Sequence, residues 1–206
     1  MAFSDFTNIA EVQQAYQIQH AIIKNLVQPH AFTPSESYTQ LFGSLPTMIY
    51  IQGSEAIHSH AAIFPMLLEA YRSHAEKLAF WSGEWLAVPG EPKLSGNPGF
   101  MVSPRSPLGI AVIDKPYMII VEAKQDNFTN GWGQCLAAMV AAQKINGDQE
   151  IPIFGIVTNG TTWQMGRLQG NKFQEHEESL SRSVVFDYLN TIFDVVANIT
   201  VSRSQN

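Results

Sequence analysis

Four successive apolar residues, Met118-Ile119-Ile120-Val121, run straight into Glu122-Ala123-Lys124 with no turn signal between them. A short run that is apolar at odd and even positions alike suits a strand buried on both faces, so a chain carrying it needs a layer on each side of a sheet. Strand side chains alternate, which sends Glu122 and Lys124 to one side and Ala123 to the other. Strand geometry sets the carboxylate and the ammonium within about 7 Å of each other. Charges at the end of a buried strand need a partner or an ion. An ordinary ion pair where the strand emerges meets that need. So does a site in which the carboxylate holds a hard divalent cation and the lysine orients a water or offsets charge on a phosphate.

The surrounding segments supply the layers. In "TNIAEVQQAYQIQHAIIKNLV" a Thr7 or Asn8 cap precedes apolar residues Ile9, Val12, Tyr16, Ile23 and Val27 at helical spacing, which predicts one long helix. Pro29, Pro34, Gly43 and Pro46 then punctuate an irregular connection. A second helix is predicted to open at Ser54, with an apolar face of Ile57, Ala61, Phe64, Leu68 and Tyr71, kinked or split at Pro65. Strands are predicted at Leu78–Trp81, Gly99–Val102 and Met118–Val121. "TNGWGQCLAAMVAAQKING" reads as a helix with Trp132, Leu136, Met139, Val140 and Gln143 on one face and Gly147 as its stop. A strand pair around Asn159-Gly160 and a last helix in "SVVFDYLNTIFDVVANI" complete the order. The fold class is α/β: a mixed sheet with helices on both faces.

A chain of 206 residues with 45% hydrophobic content holds one sizeable core, so residues 1–206 are expected to form a single domain. The net charge of −6 argues against a surface that grips nucleic acid all over, while leaving room for a local basic cleft. The lone Cys135 sits among apolar residues as a core position, and excludes an intrachain disulfide and a cysteine-based zinc site. With no basic n-region, no apolar h-region and no span of ~20 apolar residues, the expectation is a cytoplasmic protein without a membrane partner.

Other chemistries find little footing. His58 and His60 lie two apart on a predicted helix and point to different faces, and His20, His30, His74 and His176 lack metal-ligand spacing. Ser54, Ser103 and Ser106 have no paired base nearby, and neither G-x-S-x-G nor a phosphate-binding glycine motif occurs. Lys93, Arg105, Lys144 and Arg167 are candidate phosphate contacts, and Trp81, Trp85, Trp132 and Trp163 are candidate stacking residues. Solvated charges and core packing are the ordinary roles for both sets.

The order of elements and five short motifs together resemble the PD-(D/E)xK nuclease superfamily, in particular the nuclease domain of type I restriction enzyme R subunits. "VEAK" matches the acidic-x-lysine half of the signature, and "NPGF" stands where the Pro-Asp half belongs. Gln134 matches a glutamine of the following helix, Glu55 a carboxylate of the first core helix, and "GIVTNGTTWQMGRL" the strand–turn–strand beyond. The resemblance covers about residues 54 to 170 and implies an α-β-β-β-α-β core, with an extra N-terminal and a C-terminal helix.

By that resemblance Glu122, the backbone carbonyl of Ala123 and Glu55 are metal ligands, Lys124 activates water, and Gln134 supports the ion or the nucleophile. Mg²⁺ or Mn²⁺ is the implied cofactor, weakly held, and DNA the implied partner. Proteins of this fold often dimerise, so a homodimer is one expected assembly. The departure is Gly99, a residue without a side chain where the family carries a metal-binding aspartate. Asn97 offers only a neutral amide, and Asp126 falls where the strand has ended. Two functions follow as expectations: a metal-dependent nuclease with a weakened site, or a nuclease fold that binds without cutting.

Overall fold

The computed structural model describes residues 2–43, 57–124 and 126–204. Asn8 caps helix α1 (Ile9–Tyr16) by accepting from the Glu11 N–H. There the expected long helix stops. Gln17 turns left-handed at φ 56°, and strand β1 (Gln19–Ile23) follows. Ile23 is therefore a strand residue and Val27 lies beyond any helix, a correction to the helical pattern. The cause is long-range: β1 lies parallel to β9 (Lys172–His176), and that ladder outweighs local propensity.

The connection expected to be irregular contains a short helix, α2 (Glu36–Gly43), with the Ser35 hydroxyl accepting from Tyr38 N–H at 3.1 Å. The expected Ser54 cap and Glu55 lie outside the described residues. A π-helical stretch (His58–Ile63) leads into α3 (Phe64–Tyr71), and Phe64 N–H donates five residues back to Ser59 O. Pro65, with no N–H to give, sits in the first turn of α3 just past that widened segment. The buried stripe is Ala62, Ile63, Met66, Leu67 and Ala70, one position off the expected face, and Leu68 is 43% exposed. Residues 61–68 are apolar throughout, so the sequence could not fix its own phase.

The strands expected at Leu78, Gly99 and Met118 are β2 (Leu78–Ser82), β5 (Phe100–Pro104) and β6 (Ile119–Ala123). Between the first two, β3 (Leu86–Val88) and β4 (Glu91–Gly96) form a separate ribbon that the sequence reading passed over. Helix α4 (Phe128–Asn146) runs from an Asn127 cap to the left-handed Gly147, at φ 71°. Strands β7 (Ile153–Thr158) and β8 (Thr162–Gln169) flank the Asn159-Gly160 turn, and β10 (Leu180–Ser181) and α5 (Val185–Ser204) close the chain.

Among the described residues one mixed sheet takes the order β1-β9-β8-β7-β6-β5-β2, with β10 beside β8. Strands β2, β5 and β6 are successive antiparallel neighbours, and β7 returns parallel to β6 after α4. Helices α3 and α5 cover one face. Helix α4, α1 and the β3–β4 ribbon cover the other. No helix among the described residues is long and apolar enough to cross a membrane.

Candidate functional site at the end of strand β6

Along β6, Ile119, Val121 and Ala123 join the core under α3 and α5, while Ile120 joins the core under α4. Alternation therefore sends Glu122 toward α4. Lys124 follows it: its N–H bonds Thr158 O at 2.9 Å, and its Nζ lies 2.9 Å from Glu122 Oε1. The two side chains are only 13% and 16% exposed, Glu122 being the deeper. A carboxylate and an ammonium thus meet at the carboxyl end of a core strand.

Helix α4 forms the roof, and a glycine lets it come close. A Cβ at Gly131 would stand 2.9 Å from Lys124 Cγ and 2.7 Å from Val157 Cγ1, so the lysine stem lies pressed beneath the first turn of the helix. One turn further, Cys135 is fully buried, and its thiol is pushed well above the usual range, first by burial and then by the charge of Glu122. The cysteine is the core residue expected from sequence. It also marks the neighbourhood of the Glu122 carboxylate.

Gln134 is half-buried on α4 and gives its amide N–H to Asn130 Oδ1 at 2.8 Å. Its side chain is thus engaged one turn back along its own helix. The position of Gly99 differs from a simple vacancy. Its carbonyl accepts from Gly83 N–H at 3.3 Å, and a Cβ built on it would meet Val121 O at 3.0 Å and Ala123 N at 3.5 Å. The approach to β6 is tight here, so a side chain needs the β6 backbone to give by a few tenths of an ångström. Asn97 is exposed and ties its amide to Gly83 O at 2.7 Å.

The remaining candidates disperse. Lys144 is paired with Glu91 at 2.6 Å and lies over the Tyr16 ring. Arg105 Nη1 donates to Ala75 O, and Arg167 donates to Gln174. Trp163 and Trp132 are buried, whereas Trp85 is exposed. His60 is exposed. His74, unremarkable by spacing, is buried and bonded to Asp194.

The oxygen donors fit a hard divalent cation in kind. Glu122 supplies a carboxylate and Ala123 a backbone carbonyl, and Mg²⁺ is commonly held by one or two carboxylates with water. In number the set is short: no group of three His, Cys, Asp or Glu side chains that could hold a metal occurs among the described residues. Lys124 also occupies part of the Glu122 charge.

Sequence reasoning missed a second cluster beside this one. His20 Nε2 lies 3.0 Å from Glu175 Oε2, and Trp132 Nε1–H donates to Gln164 Oε1 at 2.8 Å. His20 fell within a predicted helix, and only the β1–β9 pairing brings it to Glu175. No protein-family model matches the chain, and no curated protein matches it.

Proposed function

We propose that the chain is a nuclease-fold protein of the PD-(D/E)xK type that hydrolyses phosphodiester bonds in DNA at the Glu122–Lys124 pair. The observation that carries the reading is the placement of both charges on one side of β6, 2.9 Å apart, under the first turn of α4. The antiparallel run β2-β5-β6, the α4 crossover and the parallel β7 follow the order that the resemblance implies, which supports it further.

In this reading Glu122 and the Ala123 carbonyl would hold Mg²⁺ or Mn²⁺. When bound, such an ion lowers the pKa of a coordinated water and offsets charge on the phosphate oxygens. Lys124 acts in the same place through its own chemistry. Its three N–H donors orient the attacking water, and its positive charge faces the phosphate as charge gathers there. Gly131 lets the helix lie against the lysine stem, while the ammonium at its tip meets Glu122.

A second reading, a nuclease fold that binds DNA without cutting it, is favoured by Gly99, which offers no carboxylate and lies tight against the β6 backbone. The two separate in one experiment: Mn²⁺ and Mg²⁺ titration, followed by cleavage of supercoiled DNA by wild type, Glu122→Gln and Lys124→Ala. The first reading expects Mn²⁺-dependent nicking that falls on the order of 10²-fold in both variants. DNA binding without nicking in wild type supports the second. Neither binding nor cleavage sinks both.

A further inference from the structure

Beside the Glu122–Lys124 pair, on the same face of the sheet, lies an open cleft of about 610 Å³ with no lysine or arginine in its walls. Phe128 and Trp132 of α4, Gln164 of β8, Gln13 of α1, His20 of β1 and Glu175 of β9 line it. Its position follows from register. Glu122 pairs with Val157, and Val157 pairs with Gln164, so the cleft starts two strands from Glu122, roughly 10 Å away. Phe128 and Trp132 share the first turns of α4 with Gly131, the residue that covers Lys124.

The polar groups of the cleft are set by the fold, and two acceptors are left over. Glu175 gives Oε2 to His20, whose ring stacks on Phe173 at 5.3 Å, while its Oε1 bonds nothing among the described residues. Gln13 spends its amide nitrogen on Ile18 O at 3.0 Å, which leaves its Oε1 without a bond among the described residues. The Trp132 indole N–H donates to Gln164 Oε1, and the Gln164 amide nitrogen donates to Ser179 Oγ at 3.1 Å, which fixes both side chains of the floor. Phe128, half-buried, offers an aromatic surface. A carboxylate among neutral amides repels phosphate but accepts hydrogen bonds from an amino group, and an aromatic ring stacks on any base.

We infer that this cleft seats an unstacked DNA base, with preference for one that presents an amino group to Glu175, cytosine above thymine. The inference rests on the phosphodiester reading of the Glu122–Lys124 pair: the phosphate sits at Lys124 while the base beside it turns into the cleft. The base leaves the stack, Phe128 replaces part of the stacking it loses, and Glu175 accepts from the exocyclic amine.

The test uses the full chain in EDTA and fluorescence anisotropy with short single-stranded oligo-dC, oligo-dT and an abasic oligomer. Oligo-dC should bind on the order of tenfold tighter than oligo-dT. Glu175→Gln should erase that difference, and Phe128→Ala should weaken both oligomers on the order of tenfold. An unchanged base preference in Glu175→Gln, or abasic DNA bound as tightly as oligo-dC, overturns the cleft assignment. If Lys124→Ala still weakens DNA binding in that case, the phosphodiester reading stands without it. A titration with deoxycytidine 5′-monophosphate, read at the Trp132 indole N–H resonance, separates the reverse case. A shift there without any oligomer binding keeps the cleft and removes the DNA reading, and silence in both measurements removes both.

Discussion

The two faces of the sheet are packed by opposite means. Under α4 the closest approaches are made by small residues: Gly131 against Lys124, Gly133 against the backbone of Phe6 and Asn8, and Ala137, Ala138, Ala141 and Ala142, all buried, with Trp132, Leu136 and Met139 filling the space between. Under α3 and α5 the contact is made by rings, with Phe64, Phe80, Phe100, Tyr71 and Phe193 in mutual contact, and by a polar clasp in which Asp194 takes His74 at 2.8 Å and His30 at 2.9 Å. Glycine and alanine contacts carry few rotamers of their own, so the α4 face fixes position closely. Rings and hydrogen-bonded side chains can shift and re-pair. The candidate site and its neighbouring cleft both lie on the face that fixes position.

The contrast breaks most visibly at Gly133. A Cβ there would lie 2.6 Å from Phe6 O and Asn8 N, both main-chain atoms. Gly133→Val should cost more than the ~1–3 kcal/mol of ordinary overpacking, enough to lose cooperative thermal unfolding, although helix propensity alone favours the change. A fully folded, equally stable variant would show that the α4 face yields as readily as the other.

On the ring side, Asp194→Asn leaves His74, 6% exposed, without its carboxylate. Because Asp194 itself is 44% exposed, water recovers part of the loss, and about 1 kcal/mol in urea denaturation is expected. Gly99→Ala probes the site directly. Its Cβ would press on Val121 O at 3.0 Å, so β5 and β6 must part by a few tenths of an ångström, at a cost of up to about 1 kcal/mol. A stabilised Gly99→Ala would mean the strands separate freely, and would reopen the position to an aspartate.

The smallest effect is electrostatic and belongs to the segment lying on α4. The N–H and hydroxyl of Thr7 hold the Glu11 carboxyl below its usual range, helped by Asn8 and Lys93. A carboxyl depressed in the folded state stabilises above its unfolded pKa, and that contribution is lost as pH falls through the folded value. Glu11→Gln should therefore flatten the decline in stability between about pH 5 and pH 3, by lowering stability slightly at neutral pH and leaving it nearly unchanged in acid.

What the sequence disclosed follows the same division. Strands β5 and β6, helix α4 with its Gly147 stop, and the facing of Glu122 with Lys124 were all legible, because each rests on local alternation, helical period or turn chemistry. The end of α1 was not, since only the distant β9 makes a strand of Gln19–Ile23. The phase of α3 was hidden by a segment apolar on every side, and α2 by a connection rich in proline. The glycine at position 99 was legible as a missing ligand. Its close packing against Val121 was not, because register between strands is a property of the pair.

The pairing of β1 with β9 joins Gln19 to Lys172, a residue made 153 positions later in synthesis. As the chain leaves the ribosome, the border strand with Ile22, which stays 65% exposed even after folding, must wait for its neighbour until strand β9 has been made. Contacts so far apart in sequence close late and slow folding. During that interval the waiting segment is the part of the nascent chain most open to chaperones, or to the same strand of another copy.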